Sequence, residues 1–163
     1  MNDVMSPMTW IILAITVILA VILFFPKLRN MFNTSETANN NKIVAPLKVQ
    51  AYERLLLYLE RMRFSVLVKR VFMPGMTSSD LQFALIQNVQ DEFEHNLAQR
   101  LYVNEGTWFG INKAKDETLQ IINSEFEENP DADSATMAQK LASMTNPLID
   151  RAILVIKKEF NTL

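Results

Sequence analysis

The densest group of side chains that could perform chemistry is the segment Asp91–Asn96, DEFEHN, which contains the only histidine of the chain. Glu92 and His95 are three residues apart, so on a helix they occupy neighbouring positions of one face. Carboxylate-bridged di-iron bundles use this spacing, but they require two such motifs and two further glutamates. Because there is no second histidine, the segment leaves open only a mononuclear metal site at Glu92 and His95, completed by Glu117 or Glu125.

A polar face that meets solvent or a partner is the alternative interpretation of the same segment. A helical wheel places Asp91, Glu94 and His95 away from the apolar stripe of their helix, with Glu92 at its margin. Runs of charged residues are usually solvated faces, and this interpretation is favoured over a metal site.

Two polar residues fall inside that apolar stripe, Asn96 and Arg100. Buried polar groups need hydrogen-bond partners, so Glu53 or Glu60 of the preceding helix, or backbone carbonyls, are candidates. The alternative is that Arg100 extends into solvent from a frayed helix end. The sequence does not decide between these two interpretations.

Basic and acidic side chains are concentrated in different parts of the sequence. Residues 47–73 carry six basic and two acidic side chains, whereas residues 79–133 carry three basic and twelve acidic ones. Ion pairs between the two segments are the favoured interpretation. The alternative is recognition of anionic lipid by the basic side chains Arg54, Arg61, Arg63, Lys69 and Arg70.

The composition excludes several classes of chemistry. The chain has no cysteine, so disulfides, thiolate metal sites and cysteine nucleophiles are excluded. It contains no phosphate-binding GxxxxGK[ST], no GxSxG and no HExxH, and a single histidine leaves little room for a catalytic triad. Aromatic residues are not interleaved with basic ones, which argues against nucleic-acid binding. We therefore predict no catalytic residue, no cofactor and no nucleic-acid partner.

An uncharged apolar run from Met8 to Phe25 precedes these elements. At about 1.5 Å per residue it spans roughly 27 Å as a helix, close to the hydrocarbon thickness of a bilayer. Lys27 and Arg29 follow the run, and only Asp3 precedes it, so the positive-inside rule predicts an external N-terminus and a cytoplasmic domain. The run lacks the basic start and small-residue cleavage site of a signal peptide, so an uncleaved signal anchor is expected.

The polar stretch that follows the anchor predicts a flexible link. Residues 33–45 begin with NTSETANNN, which has no apolar periodicity and cannot offset the entropy of ordering the chain. The predicted organisation is an anchor with an interfacial flank over 1–32, a tether over 33–45 and a cytoplasmic domain over 46–163.

Apolar residues recur at helical spacing throughout the domain, and no segment alternates with the period of a strand. We predict an all-α fold: one transmembrane helix followed by an antiparallel bundle of about four to five helices. The helices are expected over 46–63 with a bent continuation to 72, over 79–102, from 104 to 128, from 133 to 144 and from 146 onward. The predicted N-caps are Ser79 with Gln82 in a capping box, Asn104, Asp133 or Ser134, and Asn146 before Pro147.

Three parts of this pattern resemble a known group of proteins. They are LKVQAYERLLLYLERM (Leu47–Met62), DEFEHNLAQRLYV (Asp91–Val103) and Trp108 with Ala114-Lys115. Together they resemble a small family of uncharacterised proteins from Bacteroidota that have an N-terminal membrane helix and a helical cytoplasmic domain. The resemblance covers roughly residues 47–125 and implies a bacterial inner-membrane setting, with no established activity, ligand or partner.

The sequence as a whole predicts a non-enzymatic module, tethered to a membrane, that docks a protein partner or a second copy of itself. A metal-dependent activity at Glu92 and His95 and anionic-lipid recognition by the basic helix are the alternatives. The residues predicted to contact a partner or lipid are Arg54, Arg61, Arg63, Asp91, Glu94, Asn96 and Arg100.

Overall fold

The structure of the chain is a computed structural model that describes the backbone of residues 7–162. Side chains are described at Met8, at residues 10–21, at Phe24 and at residues 44–162. All regular secondary structure in this part of the chain is helical, which confirms the all-α prediction. The helices are α1 (Pro7–Arg61), α2 (Phe64–Val71), α3 (Ser78–Asn96), a 3-10 helix (Leu97–Tyr102), α4 (Glu105–Glu128), α5 (Ser134–Ala142) and α6 (Pro147–Phe160).

The described chain divides into two compact units between Val44 and Ala45. In the second unit, every α-helix contributes side chains to a single hydrophobic core. The largest fully buried side chains include Tyr58 and Leu59 of α1, Phe64 and Leu67 of α2, Leu81 and Leu85 of α3, Ile111 and Ile122 of α4, and Met137 and Leu141 of α5. Ile149 and Ile156 of α6 complete the core, so the last two helices belong to the same bundle as the first four.

The first unit consists of the N-terminal part of α1, and its described apolar side chains are exposed. From Trp10 to Val21 the large apolar residues are between 51% and 63% exposed. Within the described part of the chain, no helix has both the length and the apolar character that a membrane crossing requires. The predicted span at 8–25 lies partly outside the described residues, because the side chains at four of its positions are not among them.

Helix α1 also includes the segment predicted as a tether. The backbone of residues 33–45 is helical, whereas its polar composition predicted no regular structure. Most side chains of this segment lie outside the described residues, and its flexibility stays a prediction.

The predicted bend after the first soluble helix is present. Helix α1 ends at Arg61, and α2 resumes at Phe64 after a break of two residues. The side chains of Phe64, Leu67, Val68 and Val71 in α2 are buried. The break changes the direction of the chain after α1, so that α2 directs this apolar face to the core.

The N-terminus of α3 differs from the prediction. Its N-cap is Thr77 rather than Ser79, and the capping box uses Asp80 instead of Gln82. The Thr77 hydroxyl accepts a hydrogen bond from the Asp80 N–H at 3.1 Å, and the Asp80 carboxylate accepts one from the Thr77 N–H at 3.2 Å. These reciprocal bonds satisfy two backbone donors. The Thr77 hydroxyl also donates to the Asp80 carboxylate at 2.7 Å, and this bond, together with the one from the Thr77 N–H, lowers the pKa of the Asp80 carboxyl below its ordinary value.

The remaining predicted caps are confirmed. The side chains of Asn104, Asp133 and Asn146 accept hydrogen bonds from backbone N–H groups of α4, α5 and α6 at 2.7, 2.7 and 2.9 Å. Pro147 occupies the start of α6, where the missing N–H costs no hydrogen bond.

The C-terminal part of the second predicted helix is wound differently from the prediction. The α-helical geometry ends at Asn96, and Leu97–Tyr102 forms a 3-10 helix. A 3-10 helix has about 3.0 residues per turn, so the face that meets the core rotates relative to an α-helix. The spacing of four residues from Leu85 through Val89, Phe93 and Leu97 to Leu101 predicts one apolar stripe on an α-helix, but Leu97 and Leu101 are 46% and 83% exposed.

Helix α6 is antiparallel to α4, and polar contacts join the two helices at both ends. Near the C-terminus of α6, Glu159 accepts hydrogen bonds from the Tyr52 hydroxyl and the Asn104 N–H, both at 2.8 Å. The Thr107 hydroxyl at the start of α4 donates to the same carboxylate. This single carboxylate therefore links α1, α4 and α6.

At the other end of α6, Asn146 makes a buried polar contact with the middle of α4. Its amide nitrogen donates to the Ala114 carbonyl at 3.2 Å and to the Thr118 hydroxyl oxygen at 2.9 Å. The Thr118 hydroxyl in turn donates to the Ala114 carbonyl at 2.8 Å. These bonds fix where α6 begins along α4.

Candidate functional site

The segment that the sequence singled out lies along an open cleft between α1 and α3, which we call the α1–α3 cleft. It has a volume of about 400 Å³. Its lining residues are Arg54, Leu57, Tyr58 and Arg61 of α1 and Asn88, Asp91, Glu92, His95 and Asn96 of α3. The fold therefore brings together most of the residues predicted to contact a partner, lipid or metal.

Glu92 forms the centre of an ion-pair cluster on one side of this cleft. Its carboxylate lies 2.6 Å from the Arg70 guanidinium and 3.4 Å from that of Arg61. The Glu92 side chain is 17% exposed, so these partly shielded charges interact more strongly than a pair in free solvent would. The helical wheel placed Glu92 at the margin of the apolar stripe of its helix, and this prediction agrees with the partial burial.

The contacts of Glu92 and His95 give no support to a metal site. Both carboxylate oxygens of Glu92 face guanidinium groups, and His95 Nδ1 lies 2.6 Å from the Asp91 carbonyl. Glu125, one of the candidate further ligands, pairs instead with Lys140 of α5 at 2.7 Å. Among the described residues, no group of three histidine or acidic side chains is arranged to hold a metal ion.

Two other basic residues of the segment 47–73 also face carboxylates or carbonyls. Arg63 pairs with Glu60 at 2.6 Å and with Asp150 of α6 at 2.7 Å, and these bonds raise its pKa. Arg54 donates a hydrogen bond to the His95 carbonyl at 3.3 Å. The ion pairs of Glu92 with Arg61 and Arg70 are those that the charge pattern predicted between the basic and acidic segments, whereas Arg63 pairs with carboxylates outside the acidic segment. Together these contacts leave fewer free cations for lipid.

Asn96 and Arg100, the two polar residues that the helical wheel placed in an apolar stripe, have different surroundings in the structure. Asn96 is buried, and its amide donates to the Glu92 carbonyl at 2.7 Å. Arg100 lies in the 3-10 helix, where it is exposed and pairs with Glu105 at 3.2 Å. A backbone carbonyl, rather than Glu53 or Glu60, is thus the partner of Asn96, and Arg100 extends into solvent.

Asp91, Glu94 and His95 are exposed, as the helical wheel predicted for the polar face of α3. Asp91 and His95 border the α1–α3 cleft, whereas Glu94 lies beside Phe93 and Lys115 on the adjoining surface. The Lys115 ammonium lies 4.6 Å from the centroid of the Phe93 ring, a cation–π distance.

The most unusual residues of the cleft, Tyr58 and Asn88, were not among the predicted site residues. Tyr58 is fully buried, and neither its hydroxyl nor the Asn88 side-chain oxygen has a hydrogen-bond partner in the structure. Burial raises the pKa of the Tyr58 hydroxyl, and the charges of Asp116 and Glu92 raise it further. A tyrosine within an apolar stripe signals that a polar partner is needed, but the sequence cannot show that none is supplied.

A second surface is apolar and is formed by α4 and α6; we call it the α4–α6 face. Phe109 of α4 is 63% exposed, and Leu148 and Val155 of α6 lie along the same surface, with Val155 38% exposed. Phe109 and Val155 line a groove of about 350 Å³ together with the basic side chains Lys113 and Arg151. The Lys113 ammonium lies 5.5 Å from the centroid of the Phe109 ring. The face thus combines exposed apolar groups with positive charge.

These features define an all-helical domain that has a polar cleft and an apolar, basic face, without an assembled catalytic constellation among the described residues. The chain belongs to the family of unknown function DUF7935, whose sequence profile matches residues 2–163. Among curated proteins and solved structures, none matches the chain. The family match confirms the predicted membership of an uncharacterised family and extends it beyond residues 47–125. It does not bear on the expected source in Bacteroidota or on membrane topology.

Proposed function

We propose that the chain is a helical interaction module, tethered to a bacterial inner membrane, that docks a protein partner through the α4–α6 face and catalyses no reaction. The observation that carries this proposal is the exposure of Phe109 and Val155, two apolar side chains that line the same groove of a folded domain. Contiguous exposed apolar groups with a polar rim are typical of interaction surfaces.

The support for a tether comes from the apolar run and from its exposure. The large apolar residues from Trp10 to Val21 point in all directions around α1, and each is more than half exposed. A helix that is apolar on every side needs an apolar environment, which a bilayer provides. Lys27 and Arg29 favour a cytoplasmic position for the domain, and the resemblance to inner-membrane proteins suggests the compartment.

The tether and its direction can be tested with single cysteines, because the natural chain contains none. We expect the full chain to stay in the membrane pellet after alkaline carbonate washing. We expect Asn2→Cys to react with a membrane-impermeant maleimide in cells with a permeabilised outer membrane, and Ser143→Cys to react only after the inner membrane is opened. Release of the chain by carbonate would overturn the tether, and the opposite labelling pattern would reverse the topology.

The partner that fits the α4–α6 face is an acidic amphipathic helix. Its apolar side chains would cover Phe109, Leu148 and Val155, and its carboxylates would meet Lys113 and Arg151. Such helices bind apolar grooves through residues spaced three and four apart. Charge complementarity of this kind mainly raises the association rate and selects the partner.

The docking surface can be tested by crosslinking in membranes followed by purification of the tagged full chain. We expect a discrete crosslinked species, of one partner or a second copy, that is lost in Phe109→Ser and in Val155→Ser. Phe83→Ser is the matched control, because Phe83 is 65% exposed but lies on α3. The paired variant Asp91→Asn with Glu94→Gln tests the polar face of α3 that the sequence favoured. A chain that stays uncrosslinked and monomeric, or a species lost only with the α3 variants, would refute this assignment.

A further inference from the structure

We propose that the α1–α3 cleft binds a small organic oxyanion, a carboxylate or phosphate ester that also carries a hydroxyl or ammonium group, between Arg54 and Arg61. This inference does not depend on the proposed docking function, because it concerns a different surface. It rests on the charges of the cleft, on two buried polar atoms without partners and on the size of the cleft.

The cleft has positive charge that the protein does not fully neutralise. Glu92 lies 2.6 Å from Arg70 but 3.4 Å from Arg61, so Arg70 is its closer partner. Arg54 forms no ion pair with a described residue. Its guanidinium donates a hydrogen bond to the His95 carbonyl at 3.3 Å. A guanidinium has five donors in a planar fork that matches a carboxylate or phosphate group. Arg54 and Arg61 therefore retain donors for an oxyanion.

Helical spacing places Tyr58 between these two arginines. Residues 54, 58 and 61 are spaced four and three apart, so they lie along one face of α1, and all three line the cleft. The Tyr58 hydroxyl is buried and has no partner in the structure. A buried donor without an acceptor costs free energy, and an oxyanion at the floor of the cleft would remove that cost. The two guanidinium groups and this hydroxyl are the donor set of the proposed site.

The opposite wall of the cleft supplies an acceptor. The side-chain oxygen of Asn88 is buried and has no donor, and the exposed carboxylate of Asp91 lies on the same wall. A bare inorganic anion would leave both unsatisfied, whereas a hydroxyl or ammonium group on the ligand would bond to them. The volume of about 400 Å³ lies at the lower end of the range of small-molecule sites. The ligand class is therefore a small metabolite, or the headgroup of a lipid with the same chemistry.

The test uses the full chain, purified in a neutral detergent, and follows the thermal unfolding midpoint by circular dichroism. The probes are glycerol 3-phosphate, L-malate and inorganic sulfate. We expect glycerol 3-phosphate or L-malate to raise the midpoint in a saturable manner, since a ligand that binds only the folded state stabilises it. Inorganic sulfate, which is fully deprotonated at neutral pH and therefore has no hydrogen-bond donor for Asn88, should bind more weakly. If none of the three raises the midpoint, a fourth arm with vesicles decides the proposal.

That fourth arm separates a free metabolite from a lipid headgroup. The detergent-solubilised chain is reconstituted into vesicles of phosphatidylcholine alone or of equal parts phosphatidylcholine and phosphatidylglycerol, and the midpoints are compared. A rise with phosphatidylglycerol that depends on Arg54 assigns the oxyanion to a headgroup. Absence of any effect in all four arms, or an effect that is the same in Arg54→Gln, would overturn the proposal.

Two pairs of variants separate binding from general charge and stability effects. Arg54→Gln should weaken probe affinity by about tenfold or more, while Arg151→Gln, which removes the same charge outside the cleft, should not. Tyr58→Phe should also weaken the affinity by about tenfold, yet its midpoint without probe should equal or exceed that of the natural chain, because it removes an unpaired buried hydroxyl.

Tyr52→Phe is the matched control for Tyr58→Phe. The Tyr52 hydroxyl donates to Glu159 far from the cleft lining, so its loss should lower the midpoint and leave the probe affinity unchanged. If Tyr58→Phe lowers the midpoint and keeps the affinity, Tyr58 is structural and the donor set proposed here is wrong.

Discussion

At the scale of single residues, the neighbours of Glu92 determine what its carboxylate can do. The spacing of Glu92 and His95 matched that of a metal motif, yet guanidinium groups of Arg61 and Arg70 face the carboxylate. A cation beside these two positive charges would be repelled unless an arginine moved away. Glu92 is therefore better described as the residue that joins α3 to α1 and α2.

We expect Glu92→Gln to lower the free energy of unfolding by about 1–2 kcal/mol, because both arginines would lose a charged partner in a partly shielded position. His95→Ala, at an exposed position of the same face, should change it by less than about 0.5 kcal/mol. Urea unfolding followed by circular dichroism measures both values. Stabilisation of the natural chain by added zinc that is absent in His95→Ala would contradict this account and restore the metal hypothesis.

At the scale of elements, the caps explain where the helices begin, and one cap also positions a helix against its neighbour. Asn104 and Asn146 both cap through a side-chain oxygen. Asn146 additionally donates to Ala114 and Thr118 of α4 in a buried setting, whereas Asn104 is exposed. The same residue type thus performs a local role at α4 and a local plus tertiary role at α6.

The two asparagines give a matched pair of variants. Asn104→Ala should cost about 1 kcal/mol, the usual value for loss of an N-cap. Asn146→Ala should cost about 2–3 kcal/mol, because it also removes a donor to Thr118 and leaves a buried gap beside α4. Equilibrium unfolding of the two variants provides the comparison. Equal costs would show that the contacts of Asn146 with α4 add nothing to its cap.

At the scale of the whole molecule, the chain consists of two units with different surroundings in the described structure. The buried hydrophobic residues lie between Ala51 and Ile156, all within the second unit. The described apolar residues of the first unit are exposed. Every described side chain of the hydrophobic core therefore belongs to the second unit.

A chain of residues 45–163 should fold without the first unit, because it retains every residue of that core. We expect a cooperative thermal transition and a helical circular dichroism spectrum, with a midpoint within a few degrees of that of the full chain in detergent. Hydrogen exchange should show the slowest amides around Leu59, Leu85 and Ile122, which are fully buried. A non-cooperative transition would show that the first unit is needed for the second to fold.

The sequence by itself determined the features that depend on neighbours along the chain. The all-α class, the break before α2, the caps at Asn104 and Asn146 and the exposed polar face of α3 were predicted, because helical periodicity and capping involve residues within about four positions. The cap at Thr77 was missed because Ser79 with Gln82 offered an equally valid local pattern two residues later. Local chemistry defines the available caps, and the packing of the helix selects among them.

Only the tertiary structure decided which groups meet across helices. The partners of Glu92 come from α1 and α2, the exposure of Leu101 follows from the 3-10 winding, and the unpaired hydroxyl of Tyr58 follows from the packing of α1 against α3. None of these has a signature in the spacing of residues, because each depends on how separate helices are placed. The sequence therefore identified the polar face of Asp91–Asn96 and favoured it over a metal site, while only the tertiary structure showed that this segment is one wall of a cleft whose other wall carries Arg54 and Arg61.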